Sequence, residues 1–115
     1  MKHIFGNHHI IELINCNSLL LKKSSTVENA MLECARISGA TIITHNFHQF
    51  EPDGVSGVIV IAESHFTIHT WPEFKFAAVD VFVCNDKIDV GAAIDTLKQK
   101  LEASEVVISS AKRGY

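Results

Sequence analysis

The amino-acid pattern predicts an α+β fold of two layers, an antiparallel sheet with two helices on one face, in one domain spanning residues 1–115. Three observations carry this. Several segments alternate apolar and polar side chains with a period of two, two others repeat apolar residues at helical spacing, and the joins between the strands are short and rich in turn residues.

Residues 8–14 are rich in β-branched side chains and end at Asn15-Cys16-Asn17, which reads as a strand and its turn. Ser25, followed three residues later by Glu28, has the spacing of a capping box at a helix start. Val27, Ala30, Met31, Cys34 and Ile37 or Ser38 then fall on one face, and Gly39 stands where a left-handed C-cap belongs. Residues 41–50 return to a period of two, and Glu51-Pro52-Asp53-Gly54 supplies a turn. Residues 55–62 form an apolar strand. The polar triplet Glu63-Ser64-His65 interrupts it, an alternating strand covers 66–71, and a corner at 72–75 leads into a strand over 76–84. Asp89 is an N-cap for a second helix with a stripe of Val90, Ala93, Ile94, Leu97 and Leu101. A short strand over 106–109 and a fraying tail over 112–115 close the chain.

Composition narrows the function. An apolar fraction of 47%, a charged fraction of 20% and a net charge of -3 without runs of like charge argue against a nucleic-acid or membrane-surface role. The longest apolar run, 58–62, is far too short to span a bilayer. Cys16, Cys34 and Cys84 are too few and too scattered for a disulfide framework, which fits a soluble chain in the reducing cytoplasm. Seven histidines raise the question of a metal. However, His65 and His69 stand well separated along a strand, His45 and His48 fall on opposite faces, and no C-x-x-C or H-E-x-x-H companion exists, so no metal site is expected.

The triplet at 63–65 is the informative departure. A hairpin turn is ordinarily built from glycine-containing pairs that accept positive φ, and here a carboxylate, a hydroxyl and an imidazole take that place. Local rules are broken most often at functional sites.

The stretch from Val55-Ser56-Gly57-Val58 through Glu63-Ser64-His65-Phe66-Thr67-Ile68-His69-Thr70-Trp71-Pro72-Glu73, with Val81-Phe82-Val83-Cys84 downstream, closely resembles the short bacterial and archaeal form of S-adenosylmethionine decarboxylase. The likeness runs from Gly6-Asn7-His8 to the second helix. It implies a self-processing proenzyme whose cofactor is a pyruvoyl group made from Ser64. The Ser64 hydroxyl would attack the carbonyl of Glu63, the peptide would become an ester, and β-elimination followed by hydrolysis with loss of ammonia would leave chains 1–63 and 64–115. Decarboxylation needs an electron sink for the carbanion at the substrate Cα, and a carbonyl joined to the substrate amine as a Schiff base supplies one.

The resemblance also assigns roles. His69 would take the Cα proton of Ser64 during processing, pointing back along its strand face toward the turn, and Ser56 would donate to the developing oxyanion. Cys84 would return a proton to the substrate Cα. Phe50 and Trp71 would bind the adenine and sulfonium, and Glu73 the ribose hydroxyls. Asn85 stands where relatives commonly have glycine; asparagine tolerates a left-handed φ, so the turn after Cys84 can be kept.

Taken singly, these residues have plainer readings: Ser64 as a turn residue, His69 as a hydrogen-bond partner, Cys84 as a small hydrophobe, Phe50 and Trp71 as core or dimer contacts. Cys34 and Cys16 are read as structural. The product would be decarboxylated S-adenosylmethionine, the aminopropyl donor for spermidine. The alternatives are a pyruvoyl-dependent decarboxylase of arginine or ornithine and an uncleaved, non-catalytic regulatory relative. A sheet with helices on one side needs cover on the other, so the expected partner is a second copy, in a homodimer of precursor protomers, (αβ)2, with sites at or near the interface.

Overall fold

The computed structural model describes residues 2–62 and 64–115. Among the described residues it contains β1 (Ile4–Ile14), α1 (Ser24–Ile37), β2 (Ile42–Gln49), β3 (Val55–Ile61), β4 (Ser64–Trp71), β5 (Phe76–Val83), α2 (Val90–Lys100) and β6 (Glu105–Gly114), with short 3₁₀ turns at Ser18–Leu21 and Pro72–Phe74. The strands form one sheet in the order β2-β3-β4-β5-β1-β6, and each neighbouring pair is antiparallel.

Strand periodicity sends alternate side chains to opposite faces. Phe66 and Ile68 of β4, Ala77, Val79, Val81 and Val83 of β5, and Ile11 and Leu13 of β1 are buried with Val27, Met31, Cys34, Ala93 and Leu97 of the helices in one core. Among the described residues no element covers the other face, and Ile10, Val60 and Trp71 are 41%, 39% and 42% exposed there. The two-layer α+β expectation is met.

Several local expectations are corrected. The capping box does not form: α1 starts at Ser24, its N-cap Lys23 makes no side-chain cap bond, and Gln49 Oε1 of β2 accepts the Ser24 N–H at 2.7 Å. Glu28 instead meets His45 at 2.9 Å. The C-terminal signal is met, because Gly39 takes φ 88° and the Gly39 and Ala40 N–H groups return to the Arg36 and Ala35 carbonyls at 3.0 and 3.1 Å, a Schellman motif. Asp89 caps α2 as expected, accepting from Ala92 N–H at 3.0 Å.

The first strand begins at residue 4 instead of 8, and the last runs over Glu105–Gly114 instead of 106–109, so the tail is no fraying end. The two pair along their whole length, from Ile14↔Glu105 to Ile4↔Gly114, and long-range pairing of this kind leaves no mark in either segment alone. β4 begins at Ser64, so Ser64 and His65 belong to the strand, while Glu63 lies outside the described residues. β5 ends at Val83, and Cys84 is the first residue beyond it. Asn85 does not adopt a left-handed φ; its Oδ1 accepts the Lys87 N–H at 2.8 Å.

Candidate active site

The expected site residues form two groups at opposite ends of β4. At its start, β4 and β5 run side by side with His65 opposite Phe82, which brings the first residue of one beside the end of the other. The Cys84 backbone N–H donates to Ser64 Oγ at 3.0 Å, and Cys84 is exposed. Behind this contact the Phe82 ring stacks on His65 at 5.7 Å and meets His8 edge-on at 6.1 Å. Gly6 gives the ring its space, since a Cβ there would stand 2.6 Å from Phe82 Cζ. Gly6 and Phe82 are site-lining residues that sequence reasoning passed over, although a glycine inside a strand is a signal for such close approach.

At the other end Ser56 of β3 lies opposite His69 of β4, on the uncovered face, with Ser56 Oγ 2.7 Å from His69 Nδ1. When Nδ1–H donates to Ser56 Oγ, Nε2 carries the lone pair and can act as a base. Trp71 follows on the same face, its ring 6.3 Å from His69 and 5.6 Å from Phe76. A cavity of about 320 Å³ opens here, walled by Phe50, Asp53, Gly54, His69, Trp71 and Glu73. Ser56 and His69 also line an adjoining cavity of about 350 Å³ with Asn46, His48 and Thr67. Phe50, Ser56, His69, Trp71 and Glu73 are therefore together around one cavity.

Ser64 and His69 are not. They are five residues apart on one extended strand, about 16 Å at ~3.3 Å per residue, and their odd spacing sends them to opposite faces. Within one chain, therefore, His69 stands at the far end of β4 from Ser64. Between the two ends lies a polar patch in which Thr67 Oγ1 donates to Asp80 Oδ2 at 3.3 Å and His8 Nε2 stands 3.4 Å from Asp80 Oδ1.

The other thiols are placed for packing. Burial pushes Cys34 up to about 12 and Cys16 up to about 11, so both stay protonated and unreactive at neutral pH. Among the described residues no group of three or more His, Cys, Asp or Glu side chains could hold a metal ion, and no helix is long and apolar enough to cross a membrane.

Residues 7–114 match the family model described as S-adenosylmethionine decarboxylase. The chain belongs to that family. Similar relatives named S-adenosylmethionine decarboxylase proenzyme include one from Thermodesulfovibrio yellowstonii, 48% identical over 97% of this chain and 83% of that protein. Another, from Pseudomonas paraeruginosa, is 48% identical over 96% of this chain and 69% of its own, and one from Caldicellulosiruptor saccharolyticus is 45% identical over 97% and 90%. Among solved structures, the adenosylmethionine decarboxylase of Aquifex aeolicus superposes with a TM-score of 0.90 over 99% of this chain and 94% of its own, at 26% identity. These names fit the S-adenosylmethionine reading, and fit neither the arginine or ornithine alternative nor the uncleaved regulatory relative.

Proposed function

We propose that the protein is a self-processing, pyruvoyl-dependent decarboxylase that converts S-adenosylmethionine to the aminopropyl donor for spermidine, in the cytoplasm, as a homodimer of precursor chains. The contact between Ser64 Oγ and the Cys84 N–H carries the reading: the residue to be converted and the residue assigned to return a proton to the substrate are neighbours.

Processing uses the chain's own groups. Ser64 Oγ attacks the Glu63 carbonyl and the Glu63–Ser64 peptide becomes an ester. A base then removes the Ser64 Cα proton, the Glu63 carboxylate leaves, and water replaces the nitrogen, which departs as ammonia. The pyruvoyl group so formed supplies a carbonyl that accepts the electrons left at the substrate Cα when carbon dioxide departs. The fit is supported at both ends, by a serine oxygen fixed against β5 and by an aromatic and acidic cavity suited to a cationic nucleoside.

The separation along β4 makes a second copy part of the reading. His69 of one chain serves Ser64 of the other when two chains pair about a two-fold axis that sets the end of one β4 near the start of the partner's, where the strand's first residue lies at the sheet's end. Half-exposed Ile10, Val60 and Trp71 support burial of the uncovered sheet face in such a dimer. In this arrangement Ser56 holds His69 in its productive tautomer, and Cys84, free of the core, delivers its proton at Cα.

Intact mass under denaturing conditions tests the processing. Two fragments are expected, 1–63 and 64–115, the second lighter by one ammonia than a serine-started chain; a full-length species that persists through long incubation overturns it. Carbon dioxide release from S-adenosylmethionine, with none from arginine or ornithine, tests the substrate.

A further inference from the structure

Gln49 closes β2, one residue before the loop that carries Phe50, and its side-chain amide is held on both sides. Nε2 donates to the carbonyl oxygens of Lys22, Phe50 and Gly54 at 2.8, 3.0 and 3.1 Å, while Oε1 accepts the Ser24 N–H at 2.7 Å. An amide nitrogen carries two hydrogens, so two of the three carbonyls share one of them, and the donor on Oε1 fixes which way the group faces. Two backbone bonds complete the clasp: the Phe50 N–H donates to the Gly54 carbonyl at 2.9 Å and the Gly54 N–H to the Lys22 carbonyl at 3.1 Å.

The clasped loop is one wall of the 320 Å³ cavity, contributing Phe50, Asp53 and Gly54 opposite His69, Trp71 and Glu73. Phe50 is 47% exposed, and among the described residues the ring that meets it is the edge-on His48 at 4.7 Å. At the surface, Asp53 ties the loop to Lys23 Nζ at 3.3 Å and Lys22 Nζ at 3.9 Å. Beneath it, Gln49 is the side chain that ties both ends of the loop to the same point.

We infer that Gln49 is a positioning residue for the nucleoside subsite: by fixing the Phe50 and Gly54 carbonyls against the end of the 3₁₀ turn at Lys22, it holds the Phe50 ring where a base can stack between it and Trp71. The inference rests on the adenosine reading of the cavity. The same amide caps α1, and the two tasks are separable, because Ser24→Pro removes the capped N–H at a first helical position that accepts proline, next to an already extended Lys23 (φ -112°, ψ 138°), and leaves the three donor bonds intact.

The test uses processed enzyme and 5′-methylthioadenosine, an adenosine without the reacting amine, read by quenching of Trp71, the chain's one tryptophan. For Gln49→Met the Kd is expected to rise roughly tenfold, the worth of one aromatic stack, with a matching rise in KM for S-adenosylmethionine and kcat nearly unchanged. Ser24→Pro should bind as the wild type does. Unchanged Kd and KM in Gln49→Met, or equal losses in Ser24→Pro, would overturn the proposal in favour of a purely structural cap. If Gln49→Met does not fold, Gln49→Glu reads the same clasp, since it keeps the acceptor toward Ser24 and loses the donor toward the three carbonyls; wild-type Kd and KM in that variant would overturn the proposal equally. Absence of saturable quenching in the wild type would instead overturn the adenosine reading itself.

Discussion

The two ends of β4 are built differently. At the start, Ser64 is held by a backbone N–H, that of Cys84, beside an aromatic group of His8, His65 and Phe82. At the far end, Ser56 and His69 are held side chain to side chain on the open face, beside a cavity with aromatic and acidic walls. On the proposed reading, the start holds the group to be transformed and the far end holds the imidazole assigned to it as base. A strand is a rigid spacer, so on that reading groups about 16 Å apart on it are united by a second chain.

The sharpest way to break that comparison is to divide the two ends between chains. Ser64→Ala and His69→Ala should each abolish processing and activity alone, yet co-expression should restore up to about a quarter of wild-type activity, because half of randomly paired dimers have one intact composite site. No restoration would mean that both groups act within one chain. Next in size, Ser56→Ala should slow processing about 100-fold by removing the group that orients His69, while Cys84→Ala should leave a chain impaired in turnover; gel-resolved processing time courses separate the two. Equal processing rates in wild type and Ser56→Ala would detach Ser56 from the base.

A smaller effect is expected at Gly57, under the base end. A Cβ there would stand 2.1 Å from the Phe47 ring, so Gly57→Ala should cost about 1–3 kcal/mol in urea unfolding as Phe47 is displaced. The smallest concerns His9, at neither end. Burial, then the neighbouring His8, hold its pKa below the ordinary 6.5, so the unfolded chain takes up this proton first. The stability tied to neutral His9 is therefore full above 6.5 and lost as pH falls through the lower folded value; His9→Gln should flatten the unfolding midpoint across that window.

The fold was largely legible because its two periods are local properties. The stripe of Val27, Ala30, Met31 and Cys34, the Gly39 terminus and the Asp89 cap each involve residues within a turn or two of one another, and each is realised. The capping box failed for the complementary reason. Its residues are correct locally, but the helix starts one residue earlier, at Ser24, whose N–H finds Gln49, and the Glu28 carboxylate meets His45 of β2. The ends of β1 and β6 went unread because their pairing joins residues about a hundred positions apart.

In the site, the amino acids themselves determine which groups are present: a serine, a histidine, a cysteine and an aromatic pair in a pattern specific enough to indicate a family. That Ser56 faces His69 is set by the pairing of β3 with β4. What the tertiary structure decides is which of these groups meet. Sheet order sets Cys84, just past the end of β5, against Ser64 of the neighbouring β4, the loop after β2 brings Phe50 to the cavity that Trp71 lines, and the length of β4 keeps Ser64 from His69. Chemistry is carried by single side chains and can be read in one dimension; proximity depends on strand pairing between distant segments, and that exists only once the sheet has formed.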